Sequence, residues 1–399
     1  MNKDYLILTT LFTVLLKTSF SFGFGSPCYL KDLKVDNSDL KSTLSGSAIA
    51  AYKQKLVTEC ALYTKYFTLR DLAADQFGLK LEQIVAYQAL RFVDRYAYQK
   101  GQAKNLPIEL LFQPDSKDED KPLSERSNLV WRNWSKGIKQ VDGVVKDIYS
   151  GEVLDLTYFE KIHIGFFAES EVGDLGNVQK AGTLRQPLVG VISWPMKTEQ
   201  EVVSTTAITQ EINAIYENLG LLPTTATNGQ PDETNRILDV KDNQLFPGDP
   251  KVNLDHLKNM LNFMNTLLAQ ARAGQPMIWK DRLFTPAEFA YFIQQYIVQI
   301  HAFYDGNGRT SRFWQDAILA AFGLPAGVTG DLESNDMLTK HEVTYQQAMT
   351  VSQRQLQVVE SCLEAYRNTP RPRFSKAKPD ILKIDPALLT YDCRILTEQ

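Results

Sequence analysis

The chain has 399 residues, 44% hydrophobic and 23% charged, which is ordinary globular composition with room for two domains or one decorated one. Lys and Arg number 43 against 47 Asp and Glu, a net charge of −4. That balance excludes the basic excess of a nucleic-acid binder, and no charge block is long enough to form an interaction tail.

The N-terminus reads as an export signal. Lys3 gives a weak positive start, Tyr5 to Leu16 is an apolar run, Lys17 ends it, and small residues come next in "SFSFGFGS". The run is short for a bilayer span and fits a signal peptide over residues 1–25, cleaved to leave no stable membrane span. Pro27 before Cys28 argues against a lipoprotein site. Cys28, Cys60, Cys362 and Cys393 suit an oxidising compartment. Their three pairings stay open, with sequence proximity favouring Cys28–Cys60 and Cys362–Cys393. Export places the protein in a periplasm or outside the cell, or in the ER lumen of a eukaryote.

No internal repeat is visible. Residues 45–100 carry helical apolar spacing, as in Leu81, Ile84, Val85, Tyr87, Ala89 and Phe92. Gln113 to Asn128 is polar and holds two prolines, so it is a loop. Leu156 to Glu169 reads as an amphipathic helix. "RQPLVGVISWP", Arg185 to Pro195, is β-like: short, rich in Val and Ile, and ended by Pro. Residues 196–250 are polar, with a helix from Gln200 to Asn218 and a loop rich in Pro, Gly and Asn. Helices are expected over Leu254–Ala273, Thr285–Ile300, Arg309–Phe322 and His341–Asn368, before a tail connector from Thr369 to Asp380. The fold class is mainly α with a small β-hairpin. The expected division is a signal peptide (1–25), an N-terminal helical region (26–150), a catalytic domain (151–368) and a C-terminal tail (369–399).

One helix is strongly signalled at both ends. Thr285-Pro286-Ala287-Glu288 combines an N-cap Thr, Pro at the first helical position and Glu three residues after the cap. Phe289, Phe292, Ile293, Tyr296, Ile297 and Ile300 then recur at helical spacing as a core stripe. His301 falls at the end, and "DGNG" turns the chain into the next helix.

"HAFYDGNGRTSR", His301 to Arg312, gathers groups that act together. Backbone N–H groups at Gly306, Asn307 and Gly308, at a helix start, form an anion nest. Arg309 and Arg312, three apart on one helix face, suit more than one phosphate. Asp305 at that site calls for a cation, and Mg²⁺ takes one carboxylate plus phosphate oxygens. His301 has the intrinsic pKa of a base for a hydroxyl. The parts describe phosphoryl-type transfer. The four histidines, His163, His256, His301 and His341, show no zinc spacing. Neither a GxxxxGK[ST] loop nor a GxSxG elbow occurs.

The assembled pattern resembles the signature of the Fic (Fic/Doc) family, H-x-F-x-[D/E]-G-N-G-R-x-x-R, matched by His301, Phe303, Asp305, Gly306, Asn307, Gly308, Arg309 and Arg312. Weaker resemblance, in "FEKIHIGFF" and "AGTLR", extends it over roughly residues 154–368. The resemblance implies a helical bundle with a β-hairpin flap, preceded here by an additional helical region. It implies transfer of AMP from ATP to a Ser, Thr or Tyr hydroxyl of a target protein. His301 would be the base and Asp305 would hold Mg²⁺. Gly306, Asn307 and Gly308 would hold the α- and β-phosphates, Arg309 would neutralise phosphate charge and Arg312 would reach the γ-phosphate. The hairpin from Arg185 to Trp194, including Leu188, Val189, Gly190 and Val191, would align the target as an added strand. Ala302 stands where most members have Pro and keeps every functional group. Gly308-Arg309 argues against the phosphorylating branch. UMP or phosphocholine transfer, or a catalytically silent binding protein, are the other readings. The inhibitory pattern [S/T]-x-x-x-E-[G/N] has no match; "NAIYEN", Asn213 to Asn218, comes nearest, and Glu217 reads as an exposed helix glutamate.

Overall fold

The computed structural model describes residues 44–77, 140–165, 181–185, 191–192, 211, 214–221, 237–239, 244–246, 250–304, 306–324 and 341–368. The signal peptide, the 113–128 loop and the tail lie outside the described residues. The named elements run α1 (Gly46–Phe77), α2 (Val141–Ser150), α3 (Leu156–Gly165), β1 (Val191–Ile192), β2 (Ile237–Asp239), β3 (Gln244–Phe246), α4 (Pro250–Arg272), β4 (Met277–Trp279), β5 (Arg282–Phe284), α5 (Pro286–Ile300), α6 (Asn307–Ala321) and α7 (His341–Asn368). The fold is mainly α, as expected.

The centre of the molecule is α5. Thr285 caps it by accepting from the Glu288 N–H at 3.3 Å, with Pro286 next, as the sequence signals. All 15 of its residues are buried, not only the apolar stripe. A helix buried all round needs partners on every side. It packs against α6, α7 and α4. Its polar residues are bonded inside: the Gln295 amide donates to Thr344 Oγ1 at 2.7 Å, and its oxygen meets His341 Nδ1. Burial lowers the His341 pKa to about 3, with the Arg282 charge adding to it, so this ring stays neutral. Phe263, Phe284, Phe289 and Phe292 interlock edge to face around α5, with Trp279 on Phe263.

The α1 helix joins this core. Leu62, Tyr66 and Leu69 belong to the same buried cluster as α5 and α6, as do Val141, Val144, Val145 and Ile148 of α2. Helices on both sides of the expected boundary between residues 150 and 151 thus contribute to one apolar cluster, which covers their faces. The Glu59 carboxylate of α1 is wholly buried at the start of α5, accepting from the Ala287 N–H at 3.1 Å and the Tyr345 hydroxyl at 3.1 Å. One helix thus caps another. Beside it, Lys55 donates to Glu288 at 3.1 Å and Glu342 at 2.8 Å, and Arg282 to Glu288 at 2.9 Å. Cys60, one residue on, is disulfide-bonded.

The strands are short. β2 and β3 pair antiparallel, with Leu238 opposite Leu245, and β1 adds to the other edge of β3, with Val191 opposite Leu245, in the order β1-β3-β2. β4 and β5 form a separate hairpin, with Met277 opposite Phe284 and Ile278 opposite Leu283. Of the expected hairpin from Arg185 to Trp194, residues 186–190 and 193–194 lie outside the described residues. Val191 and Ile192 pair with residues 244–245, and Leu184 bridges to Phe303. Both β2–β3 and β4–β5 lie in stretches whose strands are three residues long, below the length at which alternation can register. Side-chain amides tie such irregular pieces down. Gln270 takes both the N–H and the carbonyl of Ile278, and Asn265 does the same for Leu154.

Candidate functional site

The motif sits where α5 ends and α6 begins. His301 caps α5 in the left-handed region, φ 50° and ψ 53°, its N–H still bonded to the Ile297 carbonyl at 3.1 Å. This conformation swings the chain off the helix axis without glycine, the residue that usually supplies it. The chain leaving the helix is pinned atom by atom. The Ala302 carbonyl accepts from the Arg185 N–H at 2.9 Å, and the His301 carbonyl accepts from Arg185 Nε at 2.6 Å. The Phe303 N–H donates to Asn307 Oδ1 at 2.9 Å, and Asn307 Nδ2 donates to the Phe303 carbonyl at 2.8 Å.

Phe303 is the anchor. Its ring stacks on His163 with centroids 3.7 Å apart and on Phe159 at 5.4 Å, and Phe159 stacks in turn on Trp314 of α6 at 6.2 Å. His163 is held by the Gly182 N–H, which donates to its Nδ1 at 2.8 Å. This column fixes α3, the motif loop and α6 against each other. It gives His163 a packing role.

Gly306, at φ 75°, is the cap of α6, so the helix starts at Asn307, two residues earlier than expected. The helix ladder opens with the Thr310 N–H on the Gly306 carbonyl at 3.0 Å. The N–H groups of the first turn lie outside that ladder and carry the positive end of the helix dipole. Ser311 turns inward and donates to the Gly308 carbonyl at 2.8 Å. From Gly306 to Leu319 every residue is buried except Arg309 and Arg312. Among the described residues of the motif, those two guanidinium-bearing positions and the half-buried His301 and Tyr304 are what is left accessible.

The sequence candidates therefore fall into three groups. His301, Gly306, Gly308, Arg309 and Arg312 come together at one inter-helix turn. Asn307 is at the same place, but its side chain is committed to closing the loop on Phe303, leaving only its backbone N–H for an anion. Arg185 also reaches the site from beneath: it is completely buried, so its side chain is a support and not part of an outer docking edge. Asp305, Leu188, Val189 and Gly190 lie outside the described residues, and Val191 stands in β1. Among the described residues no group of three or more His, Cys, Asp or Glu could hold a metal. Glu217 is exposed on the helical stretch 214–218. Sequence reasoning missed the supporting roles of Arg185 and His163. A buried Arg read as the first residue of a strand carries no sequence signal of its burial.

Residues 235–319, from just before β2 to the last turns of α6, match the Fic/DOC family model. The match supports a Fic/DOC domain over this span. The matched span of the Fic/DOC domain holds the whole motif, while α1, α3 and Arg185 fall outside it. Among solved structures, a Fic domain containing signaling protein from Bacteroides thetaiotaomicron is 13% identical, with 78% of this chain and 97% of that chain covered at a TM-score of 0.42. Fic-1 (aa134–508) from C. elegans is 14% identical, with 84% and 82% covered at a TM-score of 0.33. No curated protein matches the chain.

Proposed function

We propose that this Fic/DOC protein transfers AMP from ATP to a Ser, Thr or Tyr hydroxyl of a target protein. One observation carries the reading: at the otherwise buried start of α6 the positions left open are Arg309 and Arg312, with His301 across the turn. A helix start with two cations and an adjacent imidazole suits a polyphosphate and a proton acceptor. The first-turn N–H groups would hold the α- and β-phosphates, and Arg309 and Arg312 the outer charge. The target oxygen would attack the α-phosphorus, its proton passing to His301, while the bond to the β-phosphate breaks and pyrophosphate leaves. Mg²⁺, if held by Asp305 and phosphate oxygens, would neutralise charge on the leaving group.

The edge of β1, with Leu188, Val189 and Gly190 before it in sequence, is offered as the strand that a target segment would join. The N-terminal pattern and the disulfide at Cys60 support export, to a periplasm, the exterior or an ER lumen, wherever nucleotide is supplied. The motif grips phosphates and says nothing of a base, so UMP and phosphocholine donors belong in the test.

The experiment is incubation of the mature protein with Mg²⁺, a panel of labelled nucleotides and candidate lysates. ATP should label a protein through AMP, and His301→Ala should abolish it. Equal labelling by His301→Ala would overturn the mechanism, and labelling from UTP or CDP-choline alone would replace the donor.

A further inference from the structure

We propose that Arg185 is a positioning residue that sets the direction of the His301 imidazole. The inference rests on the reading of His301 as the base.

His301 carries a side chain in a backbone region that residues with a Cβ seldom occupy, and such a conformation persists only where neighbours over-determine it. Arg185 supplies that constraint twice. Its backbone N–H holds the Ala302 carbonyl, and its Nε, at 2.6 Å, holds the carbonyl of His301 itself. The two bonds fix consecutive peptide planes on the C-terminal side of His301, and so fix the direction of its Cα–Cβ bond. The guanidinium also stands at the negative end of the α5 dipole, where a cation is favoured.

Arg185 is held in turn. It is fully buried, and the Asn253 amide of α4, itself 1% exposed, faces the guanidinium; with the amide oriented so that its oxygen points there, it accepts from Nε at 3.3 Å and Nη2 at 3.1 Å. A buried guanidinium is costly to accommodate, and a neutral side chain could fill the space. What the fork adds is a planar, rigid set of donors at fixed angles. The Leu184–Phe303 bridge, one residue earlier, registers the same segment to the motif loop. Arg185 therefore controls the aim of the base without touching nucleotide.

The test compares Arg185→Gln and Arg185→Lys with wild type in the full chain, using three readouts. Mg²⁺–ATP affinity by calorimetry should stay within about threefold, because the α6 start is untouched. Single-turnover transfer should fall about 10²-fold in Arg185→Gln, the scale expected of a misaimed catalytic group, and recover partly in Arg185→Lys. The third readout is the histidine ring NMR spectrum, tractable with four histidines. The His301 resonance should shift or broaden while those of His256 and His341 keep their places. Parallel loss of affinity, transfer and melting temperature in both variants would overturn the proposal, as would an unmoved His301 resonance. If wild type binds nucleotide but transfers nothing, the reaction reading fails, and the His301 resonance alone decides whether Arg185 positions it.

Discussion

His301 and Lys280 are the two described non-glycine residues with positive φ, at 50° and 51°. In Lys280 the conformation turns a hairpin; in His301 it turns a helix end toward the site. Relief of such strain by glycine gives about 1 kcal/mol. His301→Gly should therefore raise the urea midpoint while abolishing transfer, and a lowered midpoint would show the backbone to be unstrained. Arg309→Ala and Arg312→Ala should leave stability within about 0.5 kcal/mol, because both are partly open to solvent. Each should weaken nucleotide binding by about tenfold or more, the loss of a charge-assisted bond, as read by calorimetry. Asn307→Ala should behave oppositely, losing about 2 kcal/mol of stability because the Phe303 N–H and carbonyl are left unmet in a buried loop. The gathering of His301, Arg309 and Arg312 at one turn was legible in the sequence because it depends on spacing along a short stretch. The commitment of Asn307 was not, because it depends on where the Phe303 main chain lies in space.

At the scale of elements, the join between α1 and α5 carries a pH dependence. Burial pushes the Glu59 pKa up from 4.5 to about 7, against bonds from Thr285, Ala287 and Tyr345, with Glu288 adding to the rise. A raised carboxyl pKa means that the folded protein holds a proton which the unfolded chain releases. The contribution is full below about pH 4.5, declines as pH rises, and is lost above about pH 7. The span corresponds to about 3 kcal/mol. Glu59→Gln should remove that slope, so the stability difference between wild type and variant should change by this order between pH 5 and pH 8 in urea titrations. A constant difference would place the proton elsewhere. Lys55 does not release it: burial, which lowers its pKa, is outweighed by Glu288 and Glu342, which keep it charged. The helices α4 to α7 were legible because each repeats its apolar spacing over several turns, and His341–Asn368 was read to the residue. The hairpin β4–β5 was not, because "MIWKDRLF" has too few residues for a period and takes its strand character from Phe263 and Gln270 beside it.

At the scale of the whole molecule, the expected catalytic domain, residues 151–368, shares its apolar core with the helices before it. A fragment of residues 151–368 would uncover the apolar faces that Leu62, Tyr66, Leu69 and Ile148 fill, and leave the Ala287 N–H without Glu59. It should lack a cooperative thermal transition by circular dichroism, whereas a fragment melting like the full chain would restore the boundary at 150/151. The sequence suggested that boundary because the resemblance stops there, and resemblance tracks the site while packing tracks the core. The burial of α5 on every side has an evolutionary consequence. A helix with no outward face cannot drift in sequence without its neighbours drifting too. Relatives of this chain should therefore hold α5 nearly as constant as the motif at its C-terminal end. Constancy before His301 would then record the tightness of the interior, and constancy after it the demands of the reaction.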